Sequence, residues 1–298
     1  MQGILKWGIG VVLWLQQFSP ALDGIFKAFT YAGEEDFFFL LLPIVAWCID
    51  RRAGLRLAIV FLLSSYIGTI IKELTNQPRP YQFDSRVQML FETTGKAFPS
   101  LHTQNTTVIW GFLASQARKT WVWIIAGVLF VGVPLSRVYL GLHFPTDLLG
   151  GYIFGIVILL LFLRIEQPIE LKFHQLPTGW KLVIAILIPL LLFLSFPSTD
   201  ETVSSATGVV FGAWTGIILE RLWVRFSTAG ALWKRVGRFL VGIAGVMVLR
   251  VGLKALFGDF QPESLFRFIR YGAIGIWFTL GAPWLFVKLS LAEKEPST

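Results

Sequence analysis

Eight residues in the first half of this 298-residue chain carry groups suited to phosphate chemistry: Lys72, Arg79, Ser100, His102, Ser136, Arg137, His143 and Asp147. His143 and Asp147 are four apart at the start of an apolar stretch, which on a helix puts both on one face. There a carboxylate can hold one imidazole nitrogen protonated and leave the other free, the arrangement of an oriented nucleophile. Pro145 falls in the first turn of that helix, where its missing N–H does no harm. His102 has no acidic neighbour in sequence and suits proton donation to a leaving oxygen. Lys72, Arg79 and Arg137 add three cations, and the guanidinium fork matches phosphate oxygens. The helices opening near Ser100 and Pro145 present unpaired N–H groups and a partial positive charge to an anion. A tetrahedral dianion is the ligand that fits this set.

Taken singly, each residue has a plainer explanation. Lys72 and Arg137 fit span-end residues that snorkel to the interface. Ser100 fits a helix N-cap, and Ser136 fits a hydroxyl bonded within its own helix. The pair His143 and Asp147 fits an interhelical hydrogen bond. Their coincidence at one end of the spans outweighs these separate accounts. A metal site built from His102, His143 and Asp147 is the sharper rival. Three cations converging on the same place would repel a divalent ion that has one carboxylate to neutralise it. No metal and no other cofactor is therefore expected.

These residues have to be held by membrane helices. The chain is 55% hydrophobic and 15% charged, with a mean hydropathy of +0.67, far more apolar than an average soluble domain. Residues 60–71, 122–135, 153–162 and 182–196 are free of charge, and each lies in a window near the ~20 residues that a helix needs to cross a bilayer. Backbone groups in lipid must pair internally, so the fold class expected is an all-α, polytopic membrane bundle. The net charge of +8 does not point to nucleic acid, because Lys and Arg fall in short clusters between apolar runs. The single Cys48 forms no internal disulfide.

The pattern predicts interfacial or re-entrant helices at 4–16 and 22–31, either of which fits a tilted span. Spans follow at 34–49, 55–72, 100–116, 121–136 and 146–163, with a polar loop at 73–98. The span at 146–163 is expected to end at Arg164, Glu166 and Gln167. Four more spans are expected at 180–196, 203–222, 239–257 and 266–289. Positive residues in connecting loops mark the cytoplasmic face; here they are Arg51, Arg52, Arg56, Arg118, Lys119, Arg164, Lys172, Arg221, Arg225, Lys234, Arg235, Arg238, Lys288 and Lys294. The polar constellation then opens on the extracytoplasmic side with the turns 197–202 and 258–264, and the C-terminus is cytoplasmic. Glu34, Glu35 and Asp36 cap the first confident span, and one of them is a candidate partner for a site cation. Arg250, Lys254, Arg267 and Arg270 are expected near the outer face, as span-end anchors or as an anionic-headgroup site.

Three segments together resemble the signature of the type 2 phosphatidic acid phosphatase superfamily: Lys72 with Arg79-Pro80 after six residues; Pro99-Ser100-Leu101-His102; and Ser136-Arg137, His143 and Asp147. The resemblance covers roughly residues 40–163. The last third is loosely similar to an extension carried by bacterial members of the sphingosine-phosphate phosphatase type. The resemblance implies a catalytic membrane core at 1–165 and a C-terminal helical extension at 166–298. It implies that His143 attacks phosphorus to give a phosphohistidine, that Asp147 orients it, and that His102 protonates the leaving group. Lys72, Arg79, Ser100, Leu101, Ser136 and Arg137 would hold the phosphoryl oxygens, without metal. The family usually has Gly where Leu101 stands, and Gly lets phosphate approach the backbone more closely. An outward-facing site beside apolar helices points to a membrane lipid phosphate or polyprenyl diphosphate as substrate. Two alternatives stay open: a phosphatase or phosphotransferase acting on soluble sugar phosphates, and a non-catalytic lipid binder or translocator on the same fold.

Overall fold

Apolar runs bounded by charge, Gly and Pro wind into helices along the whole of the computed structural model, which describes residues 2–195 and 201–295. The lead-in consists of α1 (Gln2–Gln16), α2 (Asp23–Tyr31) and α3 (Glu35–Pro43). Helix α3 passes into a π-helical segment, Ile44–Ile49. Pro43 lacks an N–H, and the widened turn after it closes with Asp50 N donating to Val45 O at 2.9 Å. Next come α4 (Arg51–Thr75), the single turn α5 (Pro80–Phe83), α6 (Leu101–Ala117), α7 (Thr120–Tyr139) and α8 (Pro145–Gln175). The remainder is α9 (Thr178–Ser195), α10 (Glu201–Trp223), α11 (Leu232–Phe257), α12 (Glu263–Ile276), a second π-helical segment Trp277–Gly281 and α13 (Ala282–Lys288). Six helices among the described residues are long and apolar enough to cross a bilayer: α4, α7, α8, α9, α10 and α11.

The helix expected to stop at Arg164, Glu166 and Gln167 continues to Gln175. At 31 residues it is about 46 Å long, more than the ~30 Å hydrocarbon layer. Its charges mark an exit from lipid rather than a helix end, and they are paired: Arg56 Nε donates to Glu166 Oε2 at 2.7 Å, and Arg52 Nη2 to Glu170 Oε2 at 2.7 Å. Of the turn expected at 197–202, residues 197–200 and the preceding Phe196 lie outside the described residues, and 201–202 open α10. The four outer cations also part company. Arg250 and Lys254 are exposed on α11, Arg270 is buried, and Arg267 pairs with Glu201 at 2.6 Å and with Glu263.

Contacts divide the chain into two units, one of Met1–Phe39 with Leu63–Ile165 and the other of Leu40–Leu62 with Glu166–Thr298. The first is built around α6, whose opening turns are polar and buried: Thr103, Gln104, Asn105, Thr106 and Thr107. In lipid such groups are satisfied by neighbouring helices. Gln104 Nε2 donates to Ser64 O at 2.7 Å, Ser64 Oγ to Asn105 Oδ1 at 2.7 Å, and Asn105 Nδ2 to Ser65 Oγ at 3.0 Å. On its other side α6 meets glycines of α8. A Cβ on Gly151 would lie 2.7 Å from Ser100 O, and one on Gly155 2.9 Å from Gln104 O. The second unit repeats the small-residue device between α10 and α12, where a Cβ on Gly212 would lie 1.9 Å from Gly272 O. In the same unit the buried Glu220 pairs with Arg51 and accepts from Phe226 N at 2.9 Å.

Candidate active site

The turn between α7 and α8 requires a glycine. Gly141 has φ +77, and a Cβ there would lie 2.3 Å from Gln88 O. That turn delivers His143, 1% exposed, to the start of α8. His143 Nδ1 lies 3.2 Å from Asp147 Oδ2, and Arg79 Nη1 lies 3.3 Å from Nε2. A guanidinium only donates and a carboxylate only accepts. These two neighbours therefore put the proton on Nδ1, donated to Asp147, and leave the lone pair on Nε2. Burial first, then the positive charges of Arg79, Lys72 and Arg137, holds the imidazole well below its ordinary value, so it is neutral at neutral pH. Asp147 is fixed in turn. It accepts from Phe144 N at 2.9 Å and from Gln77 Nε2 at 2.8 Å.

The cations come from either side of that pair. Arg79 is clasped by carbonyls, with Nη2 donating to Thr94 O at 2.6 Å, Nε to Gly95 O at 3.0 Å and Nη1 to Leu142 O at 3.1 Å. Lys72, in the last turn of α4, donates to Lys96 O at 2.6 Å and to Ala97 O at 3.3 Å. The polar loop at 73–98 thus wraps back onto the cations that precede and begin it. Arg137, 1% exposed, donates to Thr30 Oγ1 and lies 3.5 Å from Glu34 Oε1. The ring of Phe91 sits 5.9 Å from its guanidinium carbon.

Ser100 is the N-cap of α6. Its Oγ accepts from Thr103 N at 3.4 Å and from Thr103 Oγ1 at 3.0 Å, and its N–H donates to Asp147 O at 3.0 Å. The starts of α6 and α8 are thereby tied together, so two helix N-termini open at one place. Ser136 is buried, and its hydroxyl donates to Val133 O at 2.6 Å within its own helix. His102, second residue of α6, has Nε2 3.0 Å from Glu34 Oε1. The Leu101 side chain runs against α4, where a Cβ on Gly68 would lie 2.3 Å from Leu101 Cδ2. Its bulk is taken up by an absent side chain on the neighbouring helix. The first unit therefore holds all nine candidate phosphate-site residues named from sequence.

Three partners were not assigned by sequence reasoning. Gln77 and Thr30 carry no spacing that connects them to Asp147 or Arg137. Glu34, one of the three acidic residues that open the first confident span, lies beside both His102 and Arg137. Among the described residues no group of three His, Cys, Asp or Glu side chains is arranged to hold a metal ion.

Residues 53–170 match the PAP2 superfamily, and residues 204–294 match the PAP2 superfamily phosphatase transmembrane extension. Sphingosine-1-phosphate phosphatase 1 of Rattus norvegicus is 26% identical across 88% of this chain and 71% of its own length. Phosphatidylglycerophosphatase B of Bacillus subtilis (strain 168) is 30% identical across 53% of this chain and 81% of its own. A crystal structure of a transmembrane PAP2 type phosphatidylglycerolphosphate phosphatase from Bacillus subtilis aligns with TM-score 0.49 at 26% identity, covering 57% of this chain and 89% of that one.

Proposed function

The chain belongs to the PAP2 superfamily, and on that premise we propose that it hydrolyses lipid phosphates or polyprenyl diphosphates through a phosphohistidine, without metal, at the extracytoplasmic face of a cell membrane. The observation that carries this reading is the seating of His143 between Asp147 and Arg79. Asp147 holds Nδ1–H, and the Nε2 lone pair faces the Arg79 guanidinium, where a phosphoryl group would be drawn. Nε2 attacks phosphorus; the P–Nε2 bond forms as the bond to the leaving oxygen breaks. His102 gives that oxygen a proton, and water then releases inorganic phosphate from the phosphohistidine. Lys72, Arg79 and Arg137, with the Leu101 N–H and the hydroxyls of Ser100 and Ser136, neutralise and hold the equatorial oxygens. The apolar surface of the helices keeps the tail in lipid while the headgroup enters.

In this reading residues 1–165 are the catalytic core, and 166–298 form an extension of about four membrane helices, the last of them made of α12 and α13 with the π-helical segment between. The positive loops put the C-terminus in the cytoplasm. The test is phosphate release from a panel of sphingoid-base phosphates, phosphatidic acid, phosphatidylglycerophosphate, undecaprenyl diphosphate and glucose 6-phosphate in EDTA, wild type beside His143→Ala. The reading expects turnover of one or more lipids by the wild type alone. Cleavage of glucose 6-phosphate only, loss of activity in EDTA, or no turnover by either protein overturns it.

A further inference from the structure

We infer that Glu34, in the turn between α2 and α3, is the carboxylate partner of His102, holding the acid as Asp147 holds the nucleophile. This rests on the reading of His102 as the proton donor to the leaving group. Glu34 Oε1 lies 3.0 Å from His102 Nε2 and 3.5 Å from Arg137 Nη1. The charged groups facing His102 are Glu34 from the α2–α3 turn, Arg137 from α7 and Lys72 from α4, with His143 beyond. Apart from Glu34 every one of these is cationic or neutral, and each cation disfavours a second proton on the imidazole. An acid that gives up a proton in each turnover needs the protonated form to be accessible, and Glu34 is the counter-charge that works toward it against burial and the two cations.

The turn is built to bring that carboxylate close. A Cβ on Gly33 would lie 2.5 Å from Val133 Cγ1 and 3.2 Å from His102 Cδ2, so the backbone beside Glu34 rests against the imidazole itself. Burial raises the Glu34 carboxyl, but the hydrogen bond and charge of His102, with Arg137, outweigh it and hold the group below the ordinary carboxylate value. It is therefore a carboxylate at neutral pH, able to accept and unable to donate. In the imidazolium Glu34 is a counter-charge 3.0 Å from Nε2, and Nδ1–H is the proton given to the leaving oxygen, which leaves the neutral ring with its one proton on Nε2. Glu34 is a positioning residue: it acts on the substrate through His102.

General acid catalysis matters in proportion to the basicity of the leaving oxygen, which separates this role from a structural one. The experiment uses full-length protein in detergent micelles and two substrates with the same tail, dodecyl phosphate and 4-dodecyl-2-nitrophenyl phosphate. Glu34→Gln is expected to lower kcat on the alkyl ester by about tenfold or more, leave the nitrophenyl ester within about twofold, and change KM little for either. Glu34→Asp, which keeps the charge one methylene further back, should fall between the two. His102→Ala run alongside should show the same leaving-group dependence, with a loss of roughly 100-fold on the alkyl ester. An equal loss on both esters, a change confined to KM, or no change in Glu34→Gln overturns the inference; the first two would place the effect on Arg137 and phosphate binding. If His102→Ala itself lacks leaving-group dependence, the assignment of the acid falls and the inference with it. If His102→Ala shows it and Glu34→Gln does not, the inference alone falls. Should Glu34→Gln not give a wild-type melting curve, Glu34→Asp decides on the same two esters.

Discussion

At His143 two neighbours of opposite hydrogen-bonding character fix where the proton sits, and Gln77 fixes one of those neighbours. Gln77 Nε2 to Asp147 Oδ1, at 2.8 Å, is a buried hydrogen bond to a charged group, worth about 1.5–3 kcal/mol. Gln77→Leu should therefore lower kcat by roughly 10- to 100-fold with a smaller change in KM, measured by phosphate release; unchanged kcat would mean that Phe144 N alone fixes the carboxylate. Burial and three cations hold the His143 imidazole well below its ordinary value, so its neutral, nucleophilic form persists below pH ~6.5. The rate of diethyl pyrocarbonate carbethoxylation of His143, followed by peptide mass spectrometry, should fall only at pH below that value. A midpoint at or above it would show that the cations do not act on the ring. Much of this site was legible in the residues. The four-residue interval between His143 and Asp147 puts the two side chains within reach of each other, and Lys72, Arg79 and Arg137 declare themselves by charge. Gln77 did not, because its partner is 70 residues away and an amide in a loop carries no periodicity.

Packing between helices decides how closely the starts of α6 and α8 approach. Gly151 and Gly155 allow α8 to lie against α6, and the Ser100 N–H bond to Asp147 O closes the contact. At Leu101 the side chain is accepted by Gly68 on α4 rather than by the phosphate site. Gly68→Ala should overpack this contact and cost about 1–3 kcal/mol, read as a lower melting temperature in detergent. Leu101→Gly should restore part of that loss, only part because Gln104 Nε2 lies 2.9 Å from the same Cβ position. A strictly additive double variant would show that the two positions are independent. The helix starts were predictable from Ser100 and Pro145, which carry local signals. The end of α8 was not. Charge by itself reads as a stop, whereas Glu166 and Glu170 are paired to Arg56 and Arg52 along a helix that continues to Gln175. The buried polar turns of α6 were equally hidden, since a run of Thr, Gln and Asn reads as neutral until Ser64 and Ser65 supply its partners.

At the scale of the molecule, six span-length helices among the described residues and two family matches describe a multi-pass membrane phosphatase with a C-terminal extension. The extension is held by glycine contacts such as Gly212 against Gly272 O. Gly212→Leu should destabilise the second unit by about 1–3 kcal/mol or more, lowering the melting temperature in detergent; an unchanged curve would remove that contact from the account. Composition made the membrane class plain, because lipid leaves few spanning forms. The glycine contacts are not legible in sequence, because single glycines in apolar runs gain meaning only once a partner helix lies against them. The central claim is that His143 carries the phosphoryl group. Rapid acid-free quenching of the wild-type enzyme with ³²P-labelled lipid phosphate in EDTA, followed by peptide mapping, tests it directly. The account predicts alkali-stable, acid-labile label on His143 and none in His143→Ala. Label on another residue, or steady turnover with no phosphoenzyme trapped at any time point, would contradict it.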